Sequence, residues 1–203
     1  MALPWEFRPI TGERVRLDIL RPDDFDALYA MQSDPEVCRY LLYEPRSRER
    51  VEEVLVRDAT ATRLAEAEDY LQPAIRDAAG LLIGTMYLKL TSVEDKTAEI
   101  GWLLGPRSQG KGYAREAAAL VLDLAFGELG LHRVFAELDP RNAASVALCE
   151  RLGMRHEAHF REHMWFKGDW ADTGIYAILE HEWRAATSRD GRGGSPESAS
   201  SPS

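Results

Sequence analysis

The sequence has few of the features that mark secreted, membrane or nucleic-acid-binding proteins. Its two cysteines, Cys38 and Cys149, match neither a disulfide framework nor a zinc motif. No apolar run approaches the roughly 20 residues that span a membrane, and the N-terminus has neither the basic residues nor the apolar core of a signal peptide. No basic tract offsets the net charge of −9 at pH 7. These absences predict a reduced, cytoplasmic protein with no membrane or nucleic-acid partner.

The length and composition suit a single globular domain. The chain has 203 residues, of which 45% are hydrophobic, enough to build a sizeable core. We predict one domain over residues 1–187, followed by a disordered tail over 188–203 that is rich in Gly, Ser, Pro and charge. The acidic balance favours solubility, and it equally suits a cationic acceptor such as an amine.

Hydrophobic periodicity and turn residues predict a mixed α/β domain. The order is one strand, a group of helices, a three-strand meander, a helix, a strand, a helix and two final strands. The predicted strands cover 14–19, 72–76, 81–90, 97–104, 133–138, 156–166 and 174–179. The predicted helices cover 25–31, 33–40, 47–68, 117–126 and 142–152.

A glycine-rich segment, 106–117, joins a predicted strand to a predicted helix. Glycines allow a backbone to approach a ligand closely, and the first N–H groups of a helix have no partner within the helix. The helix dipole adds a preference for negative charge. This segment therefore predicts a binding site for a phosphorylated ligand.

Two kinds of phosphate loop match this segment in part. Gly105, Gly110 and Lys111 fit the start of a P-loop, but Gly112 stands where Ser or Thr should hold magnesium. A nucleoside-triphosphate site and a metal are therefore not expected. The second pattern is Q-x-x-G-x-A, formed by Gln109, Gly112 and Ala114. It resembles the pyrophosphate loop with which GNAT acetyltransferases bind acetyl-CoA.

Further motifs extend the resemblance over roughly residues 13–183. Asn142 and Ser145, followed by Leu152-Gly153-Met154, resemble the N-x-x-S…L-G-F block of the ribosomal-protein (alanine/serine) N-acetyltransferase branch. Segments 20–24, 34–37 and 163–170 resemble that branch as well. The resemblance implies the GNAT fold, an α/β domain whose mixed, mostly antiparallel central sheet is flanked by helices. It also implies acetyl transfer from acetyl-CoA to a primary amine by direct attack, the acceptor being a protein N-terminus or a small molecule.

The resemblance also implies roles for individual residues on the cofactor side. Asn142 would bind the pantetheine arm, and Ser145 would lie near the sulfur and protonate the leaving thiolate. Backbone N–H groups near Leu103 and Leu104 would polarise the thioester carbonyl. The remaining cofactor-binding residues lie in the loop: Gln109, Gly110, Lys111, Gly112, Tyr113 and Ala114.

Alternatives remain open for the catalytic residues. Glu99, on the strand before the loop, would be the base that takes the amine proton, but it could equally orient substrate or be a solvated strand residue. Asn142 and Ser145 could simply cap a helix. Tyr176 or solvent could replace Ser145 as acid. A protein that senses acyl-CoA without turnover would have the same cofactor site, so this alternative also remains. The oligomeric state stays open, and a homodimer is possible.

Overall fold

The computed structural model of the chain describes residues 3–189. Its strands are β1 Trp5–Glu6, β2 Ile10–Thr11, β3 Arg16–Asp18, β4 Arg63–Leu64, β5 Tyr70–Leu71, β6 Ala74–Arg76, β7 Leu82–Ser92, β8 Thr97–Leu104, β9 Arg133–Leu138, β10 Arg155–Phe166 and β11 Asp169–Leu179. Its helices are α1 Phe25–Gln32, α2 Pro35–Cys38, α3 Arg48–Ala59, α4 Tyr113–Asp123, α5 Ala143–Arg151 and α6 Glu180–Arg189. A π-helical turn, Leu124–Glu128, extends α4.

Most strands join one large sheet. In the described residues this sheet has nine strands, in the order β10-β11-β9-β8-β7-β6-β3-β2, with β5 paired to β7. Among them β8 and β9 run parallel, and the other pairs are antiparallel. The predicted mixed, mostly antiparallel sheet is therefore confirmed. The parallel pair needs a crossover, and α4 supplies it.

Two apolar clusters hold the helices on opposite faces of the sheet. Successive side chains of β8 alternate between the faces, so Ile100 enters the larger cluster, with α4 and α5, while Leu103 packs against the smaller one. Ala117 and Ala118 of α4 are fully buried, and their small side chains let the helix lie close to the sheet. The smaller cluster joins α1 and α3 to the other face through Leu28, Val51, Leu55 and Ala74.

The prediction of a helix over 47–68 is wrong beyond Ala59. The backbone N–H groups of Ala65 and Glu66 donate to the Asp69 carboxylate, at 2.7 and 3.0 Å, and not to carbonyls of the preceding turn. Arg63 and Leu64 form β4, which pairs with β1. The charged, alanine-rich sequence suits a helix locally, but these side-chain acceptors and the burial of Leu64 favour the extended path.

Other boundaries also differ from the predictions, and three of these differences affect the hairpin, the loop and the tail. The last strand begins at Asp169 instead of 174, after a turn in which Lys167 and Gly168 both have positive φ, 54° and 78°. α4 starts at Tyr113, four residues before the predicted helix. Ser188 and Arg189, assigned by prediction to the tail, belong to α6. The rest of the predicted tail lies outside the described residues.

β8 and β9 separate along their length, and this separation shapes the site. They pair only from Thr97–Arg133 to Glu99–Phe135. Beyond these pairs β8 stays with β7 as far as Leu104, while β9 stays with β11 as far as Leu138. The gap that opens between them, called the wedge here, has its apex at Glu99. It lies at the carboxyl ends of two parallel strands, where open α/β sheets commonly bind ligands.

Candidate active site

The larger of two adjoining cavities occupies the open end of the wedge. It encloses about 500 Å³, within the ~300–1,000 Å³ typical of small-molecule sites. β8, the glycine-rich loop, the start of α4 and α5 form its walls. It brings together most of the predicted cofactor-binding residues, namely Leu103, Leu104, Gln109, Gly110, Gly112, Tyr113, Ala114, Asn142 and Ser145.

The glycine-rich loop has the backbone geometry that an anion site requires. Gly112 is the N-cap of α4 with a left-handed φ of 83°, and Gly110 has a φ of 73°. Within the described residues no side chain caps this helix, so its first N–H groups face the cavity without a side-chain acceptor. The residues therefore fit the pyrophosphate of coenzyme A, which takes helix N-terminal N–H donors.

Arg14 and Glu116 hold the glycine-rich loop in position through an ion pair and hydrogen bonds. Arg14 donates from Nη1 to the Lys111 carbonyl at 3.0 Å and from Nε to Glu116 at 2.8 Å. Glu116 also accepts the backbone N–H groups of Arg14 and Val15, at 2.6 and 3.1 Å. Burial opposes the charge of Glu116, but these hydrogen bonds prevail and lower its pKa. The Arg14 guanidinium is thereby held against the loop.

Lys111 differs from the other predicted loop residues. Its side chain is exposed, and the residue is not among those that line the larger cavity in the described structure. What it contributes to the loop is the carbonyl that accepts from Arg14. Arg14 therefore holds a positive charge against this loop, and Arg115 and Arg151 line the cavity itself; the sequence analysis missed all three.

Three polar side chains fix the cavity walls. Gln109 donates from Nε2 to the Leu104 carbonyl at 3.1 Å, which ties the loop to the end of β8. Asn142 is the N-cap of α5, and its Oδ1 accepts the Ser145 N–H at 3.2 Å. Ser145 Oγ accepts from Trp102 Nε1 at 3.2 Å, which leaves its O–H available as a donor. Asn142 thus caps the helix and still has its amide N–H groups for a ligand.

Glu99 lies at the apex of the wedge and not in the wall of either cavity. Its side chain is 26% exposed, and Lys89 Nζ lies 3.6 Å from its Oε2. Burial raises the pKa of Glu99; Lys89 opposes the shift and Glu137 adds to it. Four residues of strand, roughly 13 Å, separate Glu99 from Leu103. A proton that reaches Glu99 from an amine near Leu103 would have to pass through water.

The smaller cavity lies on the other side of the wedge, beneath the β10–β11 hairpin. It encloses about 210 Å³. Tyr40 lines both cavities, and Glu137 projects into the smaller one from β9. Lys167 Nζ, in the hairpin turn, donates to the Cys38 carbonyl at 2.5 Å and so joins the hairpin to the last residue of α2. Segment 163–170, which contains Lys167, carried part of the family resemblance, but nothing in the sequence linked Lys167, Tyr40 and Glu137 to one cavity.

Tyr176 and Cys149 are core residues. Tyr176 is 7% exposed, stacks on His156 with ring centroids 4.8 Å apart, and is absent from the lining of both described cavities. Burial raises the pKa of the Cys149 thiol to about 12, so it is a poor nucleophile. In residues 3–189 no group of three or more His, Cys, Asp or Glu side chains is arranged to hold a metal ion. No helix in this part of the chain is long and apolar enough to cross a membrane.

Comparison with known proteins gives consistent matches. A family model described as an acetyltransferase (GNAT) domain matches residues 14–155, which include the loop and α5. The uncharacterized N-acetyltransferase YnaD of Bacillus subtilis is 30% identical, over 86% of this chain and 98% of its own. A GNAT-family acetyltransferase structure from Bacillus anthracis has a TM-score of 0.77 at 28% identity, covering 86% of this chain and 99% of its own.

Two other relatives have names that state an acceptor. Spermidine N(1)-acetyltransferase of Vibrio cholerae is 25% identical, over 85% of this chain and 96% of its own. YdaF of Bacillus subtilis, named provisionally as a ribosomal N-acetyltransferase, is 26% identical, over 85% of this chain and 94% of its own. The two names differ in acceptor while both state N-acetylation.

Proposed function

The chain belongs to the GNAT acetyltransferase family, and we propose that it transfers an acetyl group from acetyl-CoA to a primary amine by direct attack in a ternary complex. The predicted fold and the predicted acetyl-CoA-dependent acetyltransferase class are confirmed at the level of the family. The observation that carries the proposal is the wedge, where the anion-binding loop, Asn142 and Ser145 line one cavity that adjoins a second through Tyr40.

The cofactor side of the reaction rests on the loop and α5. Backbone N–H groups of the loop, from Gln109 to Ala114, bind the pyrophosphate, with Arg14 beneath them. The Asn142 amide binds the pantetheine arm. Because β9 leaves β8 after Glu99, the side of β8 that faces the wedge pairs with no strand in the described residues. Successive N–H groups of a strand point to opposite sides, and the Gly105 N–H bonds to the Ile83 carbonyl beside β7. Of the two predicted donors, the Leu104 N–H therefore faces the wedge and is suited to stabilise the carbonyl oxygen as it gains negative charge, whereas the Leu103 N–H faces β7.

The chemical step breaks one bond for each bond it forms. The neutral amine nitrogen attacks the thioester carbonyl carbon, and the carbon–sulfur bond then breaks. The amine proton passes to Glu99 through water. The Ser145 hydroxyl gives its proton to the departing thiolate and regains one from solvent water, so the serine ends the step unchanged. A thiol of pKa about 8.5 leaves with little help near neutral pH, so Ser145 contributes less than Glu99, for which a factor of about 10²–10⁴ is typical.

The acceptor enters through the smaller cavity in this proposal. Its walls carry four carboxylates, on Glu137, Asp139, Asp169 and Asp172, and three cationic groups, on Arg39, Arg141 and Lys167. Asp139 is paired with Arg141 at 2.7 Å, and Asp172 with His159 at 2.7 Å. Arg39 lies 3.6 Å from Glu36, and the Lys167 ammonium donates to the Cys38 carbonyl. Among the described residues, Glu137 and Asp169 are therefore the carboxylates of this wall that have no ion-pair partner, and they suit an amine. Both a protein N-terminus, as in the ribosomal branch, and a small polyamine fit that chemistry.

Turnover with a panel of amines tests the proposal. The panel comprises peptides that begin with Ala or Ser, the same peptides with the α-amine blocked, and spermidine. Release of coenzyme A thiol is followed by a thiol reagent, and background is low because Cys38 and Cys149 are both buried. We expect thiol release that requires a free amine and survives EDTA. Stoichiometric acetyl-CoA binding with no amine-dependent release would instead identify an acyl-CoA-binding sensor.

A further inference from the structure

The side chain next to Glu99 on the sheet is a lysine held between two carboxylates. Lys89 on β7 is the direct cross-strand partner of Glu99 on β8. Its Nζ lies 3.6 Å from Glu99 Oε2 and 3.6 Å from Glu68 Oε2. Both distances exceed the roughly 3.2 Å limit of a good N–H···O bond, so the ammonium is shared between the two and locked to neither.

Glu68 is placed beside Lys89 by its backbone. It has a left-handed φ of 73°, a conformation that costs energy for a residue with a Cβ. Its N–H donates to the Leu90 carbonyl at 2.8 Å, which anchors it to β7 next to Lys89. The Glu68 side chain is 76% exposed, whereas those of Lys89 and Glu99 are 23% and 26% exposed. Glu68 is therefore a second, solvated partner of Lys89, held in place by a left-handed backbone conformation and the bond to Leu90.

The other groups on this face show why Glu99 needs a cation. Tyr87 on β7 and Tyr70 on β5 lie on the same face, with ring centroids 5.8 Å apart, and the Tyr70 hydroxyl donates to Asp58. On β9, Arg133 is paired with Glu157 at 2.6 Å, and Glu137 adds negative charge. Lys89 is thus the cation in contact with Glu99 among the described residues. A half-buried carboxyl with carboxylate neighbours and no cation would hold its proton to a higher pH, so a smaller share of it would be ionised and able to act as base at a given pH.

We propose that Lys89 is a positioning residue for Glu99, and that Glu68 shares it so that the ammonium keeps a partner when Glu99 takes up the amine proton. Lys89 keeps Glu99 ionised and oriented at the apex before the proton arrives. When Glu99 becomes neutral, Glu68 retains the Lys89 charge, which lowers the cost of the transfer. This inference rests on the proposed role of Glu99 as base.

A titration without turnover tests the coupling. The protein is labelled with ¹³C at the glutamate carboxyl carbons, and the Glu99 resonance is assigned from its loss in Glu99→Gln. Lys89→Met should raise the Glu99 pKa, Lys89→Arg should restore it, and Glu68→Gln should lower it slightly. Arg50→Met is the matched control, since Arg50 pairs with Glu53 on the outer side of α3 and should leave Glu99 unmoved. An unmoved Glu99 resonance in Lys89→Met would overturn the proposal.

The pH dependence of kcat/KM tests the consequence for catalysis. Because the base must be ionised, a higher Glu99 pKa moves the acidic limb to higher pH. We expect a move of up to about one pH unit in Lys89→Met, hence a two- to tenfold loss on the limb, for a partly exposed pair. The plateau at high pH should remain near that of the unchanged enzyme. An unmoved limb with a lowered plateau and melting temperature would mean that Lys89 is only structural.

The two measurements separate this inference from the proposed function. If no amine is acetylated, the proposed function fails, while the carboxyl titration still decides whether Lys89 controls the charge of Glu99. If the resonance moves and the acidic limb does not, the coupling exists but does not serve catalysis, and the positioning role is wrong.

Discussion

The two walls of the wedge are built in different ways. The cofactor wall consists of a backbone loop and two helix starts, and its key geometry is local in sequence, with Gly112 as the N-cap of α4 and Asn142 as the N-cap of α5. The acceptor wall is assembled from side chains that are remote in sequence, such as Lys167 and the carbonyl of Cys38, 129 residues apart. A ligand common to a family can be bound by a local motif, whereas a particular acceptor needs a surface assembled from distant segments. Variants that affect one wall alone test this comparison.

The largest effect is expected from the apex, where the two walls meet. Glu99→Gln keeps the shape and removes the base, so kcat should fall by about 10²–10⁴-fold. Burial raises the Glu99 pKa, and the base works only when ionised. The unchanged enzyme should therefore lose activity as the pH falls through that raised value, and the variant should lose this acidic limb. Steady-state pH profiles and calorimetry measure both properties; coenzyme A affinity should stay nearly constant. Normal turnover in Glu99→Gln would make this glutamate structural.

The second-largest effect is expected from a substitution in the glycine-rich loop of the cofactor wall, measured as coenzyme A affinity. Gly112→Asp places a Cβ 3.2 Å from Arg14 Nη2 at a φ of 83°, and a negative charge where the pyrophosphate should lie. Calorimetry should show coenzyme A affinity lowered at least about tenfold, the equivalent of 1.4 kcal/mol. Gly80→Asp is a matched control, because Gly80 has a φ of 81° in a turn with open space around its Cβ position. Equal losses of coenzyme A affinity in both variants would show that the pyrophosphate does not bind at this loop.

These two sites also show how far a sequence can predict such an enzyme. The loop and α5 were predictable because Gln109, Gly112 and Ala114, like Asn142 and Ser145, lie within a few residues of one another. Glu116 could not be recognised as the brace of the loop, since its partner Arg14 lies 102 residues away. The contact of Lys167 with the carbonyl of Cys38 could not be predicted for the same reason, although segment 163–170 resembles the family. The helix predicted over 47–68 is wrong beyond Ala59, where the side chain of Asp69 accepts N–H groups of Ala65 and Glu66 that a helix would have used.

Asn142 should affect binding and stability together. Asn142→Ala removes the Oδ1 acceptor of the Ser145 N–H, bonded at 3.2 Å, and an N-cap is worth about 1 kcal/mol. Melting temperature should drop by several degrees, and coenzyme A affinity should fall several-fold because the amide donor to the pantetheine arm is lost. Asn142→Asp, which keeps a capping oxygen, should recover the melting temperature and not the affinity. If Asn142→Asp recovered both the melting temperature and the affinity, the role of Asn142 would be limited to capping α5.

A substitution in the acceptor wall should weaken binding of the acceptor amine and leave coenzyme A affinity unchanged. Lys167→Met keeps an apolar stem of similar length and removes the donor to the Cys38 carbonyl. We expect KM for the acceptor amine to rise a few-fold, in keeping with the roughly 1 kcal/mol of one hydrogen bond, while coenzyme A affinity stays unchanged. Steady-state kinetics at saturating acetyl-CoA measure the first effect and calorimetry the second. A weaker cofactor affinity would show that the two walls are not independent.

The smallest effect on kcat is expected from Ser145, which lies where the cofactor would meet the reacting sulfur. Its Oγ accepts from Trp102 Nε1 at 3.2 Å, so its own proton is free to reach the leaving sulfur. Ser145→Ala should lower kcat only several-fold, because a thiolate is already a tolerable leaving group. Trp102→Phe keeps a ring but no longer directs the hydroxyl, and it should lower kcat by a similar or smaller factor. If Ser145→Ala keeps full turnover while Asn142→Ala weakens coenzyme A binding, Ser145 has only a structural role at the start of α5. The acid must then be Tyr40 or water, since Tyr176 is buried in the core.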